Sequence, residues 1–440
     1  MNDVVDFREL ITERFGEFER SLNGSSPILL NSIRKAALER FSLTKFPTTK
    51  DEEWRFTNIL PLLKYSFDPI VDKHELNVKD ISNFKLKDSF KNHIVFVDGI
   101  FSEELSASNS LDKLVIVKNL SIACKEDQEL FKKHFSKYAH FQDNAFTALN
   151  SAYIKDGAFI SVPDNISVEE PILVLFISTA MNNQPLVQPR NLYITGRNSK
   201  VTFVEHYISL SSNTYFTNAV TEIVVGENTT LNHIKIQEES SSAFHISRTE
   251  IDQERDSNYE SVSISLGAEI SRDDISSKFN GEGGECTLNG LYLMDNTQLH
   301  DTHTMIDHAK PYCNSHEHFK GILDGKSRGV FNGKVMVRPN AQKTNAFQEN
   351  NNIILSNEAL VNTKPQLEIF ADDVKCSHGA TIGQLDDESM FYLKSRGIGE
   401  ETARTILIHA FASDVVKSIK IDSIKNYLEN ILDQRFNKES

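Results

Sequence analysis

Cysteine is scarce in this 440-residue chain, with four residues, Cys124, Cys286, Cys313 and Cys376, and no CxxC pair. Thiols so few and so scattered exclude a disulfide framework and suit a reducing compartment. Long apolar runs are also missing. The longest, Ile172–Ile177, falls far short of the ~20 residues that a membrane helix needs. Positive charge is outnumbered, since 47 Lys+Arg against 62 Asp+Glu leave a net −15. A field of that sign repels nucleic-acid phosphates and anionic lipid heads. The N-terminus carries Asp3, Asp6 and Glu9 and no apolar stretch behind a positive start, so no secretory leader is expected. These absences lead us to expect an acidic, soluble, cytoplasmic protein with neither nucleic acid nor membrane among its partners.

What is present falls into three textures, and the length suits two or three domains of ~150 residues. Residues 1–150 read as a mixed, largely helical domain. Val4, Phe7, Ile11, Phe15 and Phe18 form one apolar stripe, and Ser26-Pro27 opens a second helix faced by Ile33, Ala36, Ala37 and Phe41. The run Ile94–Val97 ending at Asp98-Gly99 reads as strand and turn, and Asp127–Tyr138 as a helix.

Residues 151–385 switch to a period of two. Short runs such as Val201–Val204, Val220–Val225, Leu231–Ile236 and Leu288–Met294 are punctuated by Gly196, Gly226, Asn228, Gly267 and Asn296. More than 200 residues of this texture mean a sandwich, a propeller or a solenoid. Ile223, Ile251, Ile275 and Ile306, at gaps of 28, 24 and 31, favour a β-helix whose coils bury their faces on one another. Residues 386–440 return to helical spacing. Met390, Phe391 and Leu393 precede a stop at Gly397. Glu400-Glu401 then open a helix carrying Ala403, Ile406, Leu407, Ala410, Phe411 and Val415, and Ile424, Leu428, Ile431 and Leu432 mark a third. This small bundle is expected to cap the open end of the solenoid, to dock a partner, or both.

The chemical signals are individually weak. His300, His303, His308, His316 and His318 crowd around Cys313, Asp301 and Asp307, and imidazole and thiolate suit zinc or iron. Their spacing fits no HExxH helix, however, and polar positions on the solvent side of a solenoid wall explain them as well. Gly321–Ser327 resembles a P-loop tail one residue too short, and Gly281–Gly284 misses GxGxxG, so both read as turns. Lys375-Cys376-Ser377-His378 places thiol and imidazole on one face of a strand, about 7 Å apart, too far for direct proton transfer. No acid/base pair stands out, and no catalytic residue is assigned.

Long ordered segments carry a resemblance. They are Lys320-Gly-Ile-Leu, Phe331-Asn-Gly-Lys, Ala341-Gln-Lys-Thr, the run Lys364-Pro-Gln-Leu-Glu-Ile-Phe-Ala-Asp-Asp-Val-Lys-Cys-Ser-His-Gly-Ala-Thr-Ile-Gly383, and Met390-Phe-Tyr-Leu-Lys-Ser-Arg-Gly-Ile398. With Phe46-Pro-Thr-Thr-Lys-Asp-Glu-Glu-Trp-Arg-Phe-Thr-Asn58, they resemble the SufB/SufD family of iron–sulfur cluster assembly proteins. The SufD branch is the better match. SufB members carry His-Glu-Ala-Thr where this chain reads His378-Gly-Ala-Thr381, and a cysteine in the strand that here reads Asn350-Asn351-Asn352.

The resemblance implies a mainly β fold, a right-handed parallel β-helix flanked by N-terminal and C-terminal helical domains. It implies a non-enzymatic scaffold subunit that pairs with SufB, docks the ATPase SufC through its C-terminal helices, and leaves ATP hydrolysis to SufC. Without SufB, a homodimer is the alternative state. It also implies that His378 faces SufB where a transient iron–sulfur cluster forms, with no cofactor held stably by the lone chain. Cys376 is open to two readings, core thiol or second ligand. Ile406, Ala410 and Phe411 are the expected contact with SufC, and Ile354 marks the expected SufB edge. A β-helix glycan enzyme is the competing class, but it calls for a carboxylate dyad that the chain does not display.

Overall fold

Between residues 158 and 383 the period-two segments pair in parallel, strand on strand, and wind as a solenoid. The computed structural model describes residues 7–22, 27–71, 74–81, 84, 86–108, 111–181 and 184–436. Val4 and Ser26 of the expected helical pattern lie outside them. Each turn gives one strand to each of two ten-stranded sheets, as Lys200–Ser209 gives to the first and Phe216–Val225 to the second. The first sheet starts at the hairpin Asn92–Val97/Ile100–Ser108 and ends at Lys375–Gly383; the second runs from Ile116–Asn119 to Leu360–Ile369. The expected Asp98-Gly99 turn makes that hairpin, with φ of 47° and 76°, the left-handed pair that suits a tight two-residue connection.

Parallel register stacks side chains into files along the solenoid. One inward file runs Phe203, His233, Ser261, Leu288, Glu317, Gln348, His378. The isoleucine repeat is only partly in register. Ile223 pairs with Ile251, but Ile275 sits opposite Thr249, and the true file continues through Ser277 to Ile306. The stricter repeat lies at a corner. Asn165, Asn198, Asn228, Asp256, Gly283, Tyr312 and Lys343 all have left-handed φ, between 53° and 74°. Each donates its backbone N–H to a carbonyl in the next turn, from Asn165 to Arg197 O at 2.7 Å through Lys343 to Asp373 O at 2.7 Å. Asparagine tolerates this conformation better than most residues, and its side chains extend the ladder at 2.9 Å from Asn198 to Asn165 and from Asn228 to Asn198.

Helices cover the outer faces. Phe7–Ser21, Ile28–Leu43 and Ala145–Ala152 bury Phe7, Ile11, Phe15 and Phe18 against Phe216, Phe244, Ile246 and Ile270 of the second sheet. The helix expected over Asp127–Tyr138 is shorter, Gln128–His134, because Ser136 turns left-handed at φ 58°. On the opposite side Glu400–Ser418 and Asp422–Phe436 press Ile408, Ala412, Val415, Ile424 and Leu428 onto Ile234, Ile264, Leu291 and Ile322. The C-terminal bundle is therefore a side wall of the solenoid and not a cap on its open end. Asp387–Ser395 buries no residue and ends at Gly397, φ +83°, as expected.

Candidate functional site at the open end of the solenoid

Both sheets run out at the same end. Leu360–Ile369 is the last strand of one and Lys375–Gly383 the last of the other, so each is paired on one side only within its sheet. Ladder donors and acceptors on the far sides have no further strand to meet, and Leu360, Ile369, Phe370 and Ile382 are exposed around them. Pro365 removes one donor from the first of these strands, a position that edge strands tolerate.

His378 sits in the middle of Lys375–Gly383. Its file-mates Gln348, Glu317 and Leu288 are buried, but His378 is exposed because no further turn covers it. Cys376 occupies the same face two residues earlier, as strand alternation requires, opposite Ala346. It packs half-buried against Val335, Val337, Ala341 and Ala371, and burial pushes its thiol up from the ordinary value. Cys376 thus holds its proton at neutral pH and is a poorer ligand than a free thiolate. Asn350, in the strand where the resemblance to SufB leads one to expect a cysteine, is buried and donates to Phe319 O at 3.3 Å.

The other sequence-derived positions lie elsewhere. Ile354 ends the strand Asn345–Ile354 and packs with Tyr292, Leu323 and Ala359. That strand has neighbours on both sides, so the free edge lies one strand further along than Ile354. Ile406 and Ala410 are exposed on one face of Glu400–Ser418, the expected docking face. Phe411 is not part of it. Its ring lies 4.8 Å from the Lys320 ammonium, which also donates to Phe411 O at 2.8 Å and pairs with Asp414 at 2.7 Å, tying this helix to the solenoid.

The histidine cluster divides. Among the described residues no three His, Cys, Asp or Glu side chains converge as a metal site. His316 is exposed and stacks on Phe347. His300 and His308, against the expectation of a solvent-facing wall, point inward. Burial drives both down to about 4, so they are neutral partners of hydroxyls, His300 of Ser271 and Thr302, His308 of Ser315, all at 2.8 Å. His303 faces outward beneath the Phe46–Asn58 segment. Burial opposes its charge, but Asp301 at 3.0 Å and Glu53 at 3.3 Å outweigh that and raise it to about 9.

These groups form a clasp that the sequence did not reveal. Arg272 lies 3.8 Å from the centre of the Trp54 ring and 2.7 Å from Asp301, Thr57 donates to Asp301 at 2.5 Å, and Lys364 reaches Glu52 at 2.5 Å. The N-terminal motif is thereby bound to the last turns. Glu317 was missed as well. It is fully enclosed, and burial raises its carboxyl to about 7 despite donors from Thr304 and, at 3.0 Å, Gln348. Its only signal was strand alternation with Ser315 and Phe319.

Comparison with known proteins decides the family. Residues 176–411 match the family model described as SUF system FeS cluster assembly, SufBD core domain, and residues 7–174 match the SufBD protein N-terminal region. The chain belongs to the SufBD family. It is similar to an iron–sulfur cluster assembly SufBD family protein of Synechocystis sp., 34% identical over 94% of this chain and 93% of that protein. It is also similar to the iron–sulfur cluster assembly protein SufD of Escherichia coli, at 31% over 90% and 91%, and to that of Bacillus subtilis, at 28% over 93% and 94%. Membership makes it a protein of iron–sulfur cluster assembly in the SUF system. Among the described residues no helix is long and apolar enough to cross a membrane.

Proposed function

We propose that this chain is a non-catalytic scaffold subunit that pairs through its open solenoid end with a SufB-type partner and supplies His378 to the cluster assembled between them. One observation carries this. His378 is the exposed terminus of an otherwise buried file, on an unpaired strand edge ringed by exposed apolar side chains. A second sheet joined there satisfies the free ladder groups and encloses His378 together with whatever thiolates the partner brings. Iron and sulfide are the cargo. Neutral imidazole binds ferrous iron, and a thiolate from the partner completes a mixed set that neither chain need hold alone. Cys376, protonated and packed into apolar surroundings, is the lesser candidate. The exposed pair Ile406 and Ala410, with Phe391 and Tyr392 on the preceding helix, offers the apolar face for a SufC-type ATPase.

The deciding experiment is anaerobic reconstitution of the complex with His378→Ala. Replacing an exposed ring removes a donor but little packing, so assembly of the complex survives while bound iron and sulfide fall sharply. Cys376→Ser is expected to have the smaller effect. A normal cluster yield from the His378→Ala complex overturns the assignment of His378.

A further inference from the structure

We propose that Gln348 is a positioning residue for His378. Its side-chain oxygen, unpartnered in this structure, would accept from the His378 imidazole N–H once the exposed ring turns onto it, while its amide nitrogen stays anchored on Glu317. The function of this contact rests on the role of His378 proposed above; the contact itself does not.

Three observations support it. First, Gln348 and His378 are direct partners in adjacent parallel strands, both on the inward-facing side, so their side chains rise one above the other. Second, Gln348 is 3% exposed, its Nε2 donates to Glu317 Oε1 at 3.0 Å, and its Oε1 has no partner. A buried amide oxygen seldom stays unpaired, and the next group up the file is a ring that carries an N–H. Third, the opposite wall is shaped for this amide. Gly333, part of the Phe331-Asn-Gly-Lys segment, lies across from it, and a Cβ there would fall 2.2 Å from Gln348 Nε2 and 2.7 Å from its Cδ. The missing side chain at 333 gives the Gln348 amide its place. Above pH 7 the Glu317 carboxylate can only accept, so the amide nitrogen must face it and the oxygen must face away.

An imidazole that donates from one nitrogen to a fixed acceptor is held in one tautomer and one orientation, with the other lone pair outward. At the mouth of the solenoid that lone pair faces the partner side, where cargo iron arrives.

The test is the ¹⁵N spectrum of the full-length chain labelled at histidine, at pH 8, with the His378 signals assigned by their loss in His378→Asn. Wild type should show one dominant tautomer at His378. Gln348→Met keeps the volume but removes the oxygen, and Gly333→Ala displaces the amide without altering it; each should relax His378 toward the tautomer mixture of free imidazole. Unchanged His378 shifts in a folded Gln348→Met or Gly333→Ala chain overturn the proposal. On the reconstituted complex, loss of the contact should slow cluster formation by about tenfold. If His378→Ala leaves cluster yield normal, the function of His378 fails while the tautomer result still decides the contact. If His378→Ala abolishes the cluster and Gln348→Met leaves the spectrum unchanged, only the positioning role fails.

Discussion

In the first turns of the solenoid, Phe96, Phe176 and Tyr207 stack ring on ring, with centroids 5.3 and 4.6 Å apart and planes within 19°. Farther along, the same file reads Gln237, Ser265, Tyr292, Gly321, Asn352 and ends at Ile382. Two inward positions away, the file that starts at Phe203 passes His233, Ser261 and Leu288 before it reaches Glu317, Gln348 and His378. The backbone is the same at both ends; only the filling differs. A parallel ladder fixes the fold through main-chain hydrogen bonds, so the interior is free to be apolar where stability is needed and polar where each group finds a partner. The ring stack lies at the end where the Asn92–Ser108 hairpin begins the first sheet, with Tyr207 donating to the buried Glu205 at 2.9 Å, and the later turns lead to the open end.

Three substitutions can break or sharpen that contrast. Phe176→Ala removes the middle ring of the stack and leaves a cavity among buried rings, with an expected loss of about 3–5 kcal/mol in denaturant unfolding. A loss below about 1 kcal/mol would mean that the first turns are no better packed than the last.

Glu317→Gln tests the opposite end. The folded carboxyl titrates near 7 against about 4.5 unfolded, so the native state is penalised as pH rises through that window and stays penalised above it. The variant should match wild type near pH 4.5 and exceed it by up to about 3 kcal/mol at pH 8. Equal stability at both pH values would show that the interior of the late turns is well hydrated.

His303 supplies the smallest effect, with the opposite sign. Its raised value means that the imidazolium stabilises the clasp fully below about 6.5 and that this is lost as pH climbs through 9. Only the part of that window above pH 7 is crossed between pH 7 and 10, so the wild-type loss there should be on the order of 2 kcal/mol. His303→Gln should flatten that part of the stability profile; an unchanged slope would remove His303 from the clasp.

Much of this organisation was legible in the residues. Apolar spacing located the helix stripe of Phe7, Ile11, Phe15 and Phe18, Asp98-Gly99 located a turn after a strand, and Gly397 located a helix end. Register was not legible, because Ile275 fits a repeat of isoleucines as well as its true place opposite Thr249. Nor could alternation tell inside from outside where both faces are polar. His300 and His303 stand three apart and take opposite faces, one neutral among hydroxyls and the other charged between carboxylates. The role of the C-terminal helices was obscured for a related reason. A stripe of Ile408, Ala412 and Val415 shows that something is covered, but not whether it is an end or a wall. At the open end, motif resemblance picked out His378. Gln348 and Gly333 emerge only once three strands are laid side by side.

The spine of left-handed residues from Asn165 to Lys343 makes length an indexed property of this molecule. One added residue within a strand would send every following side chain to the other face and pull the next corner out of line. One added whole turn would keep both, and would carry the open end and His378 about 4.8 Å farther from the N-terminal helices. The solenoid is in that sense a ruler graduated in turns, and the distance from closed end to open end can change only by whole graduations.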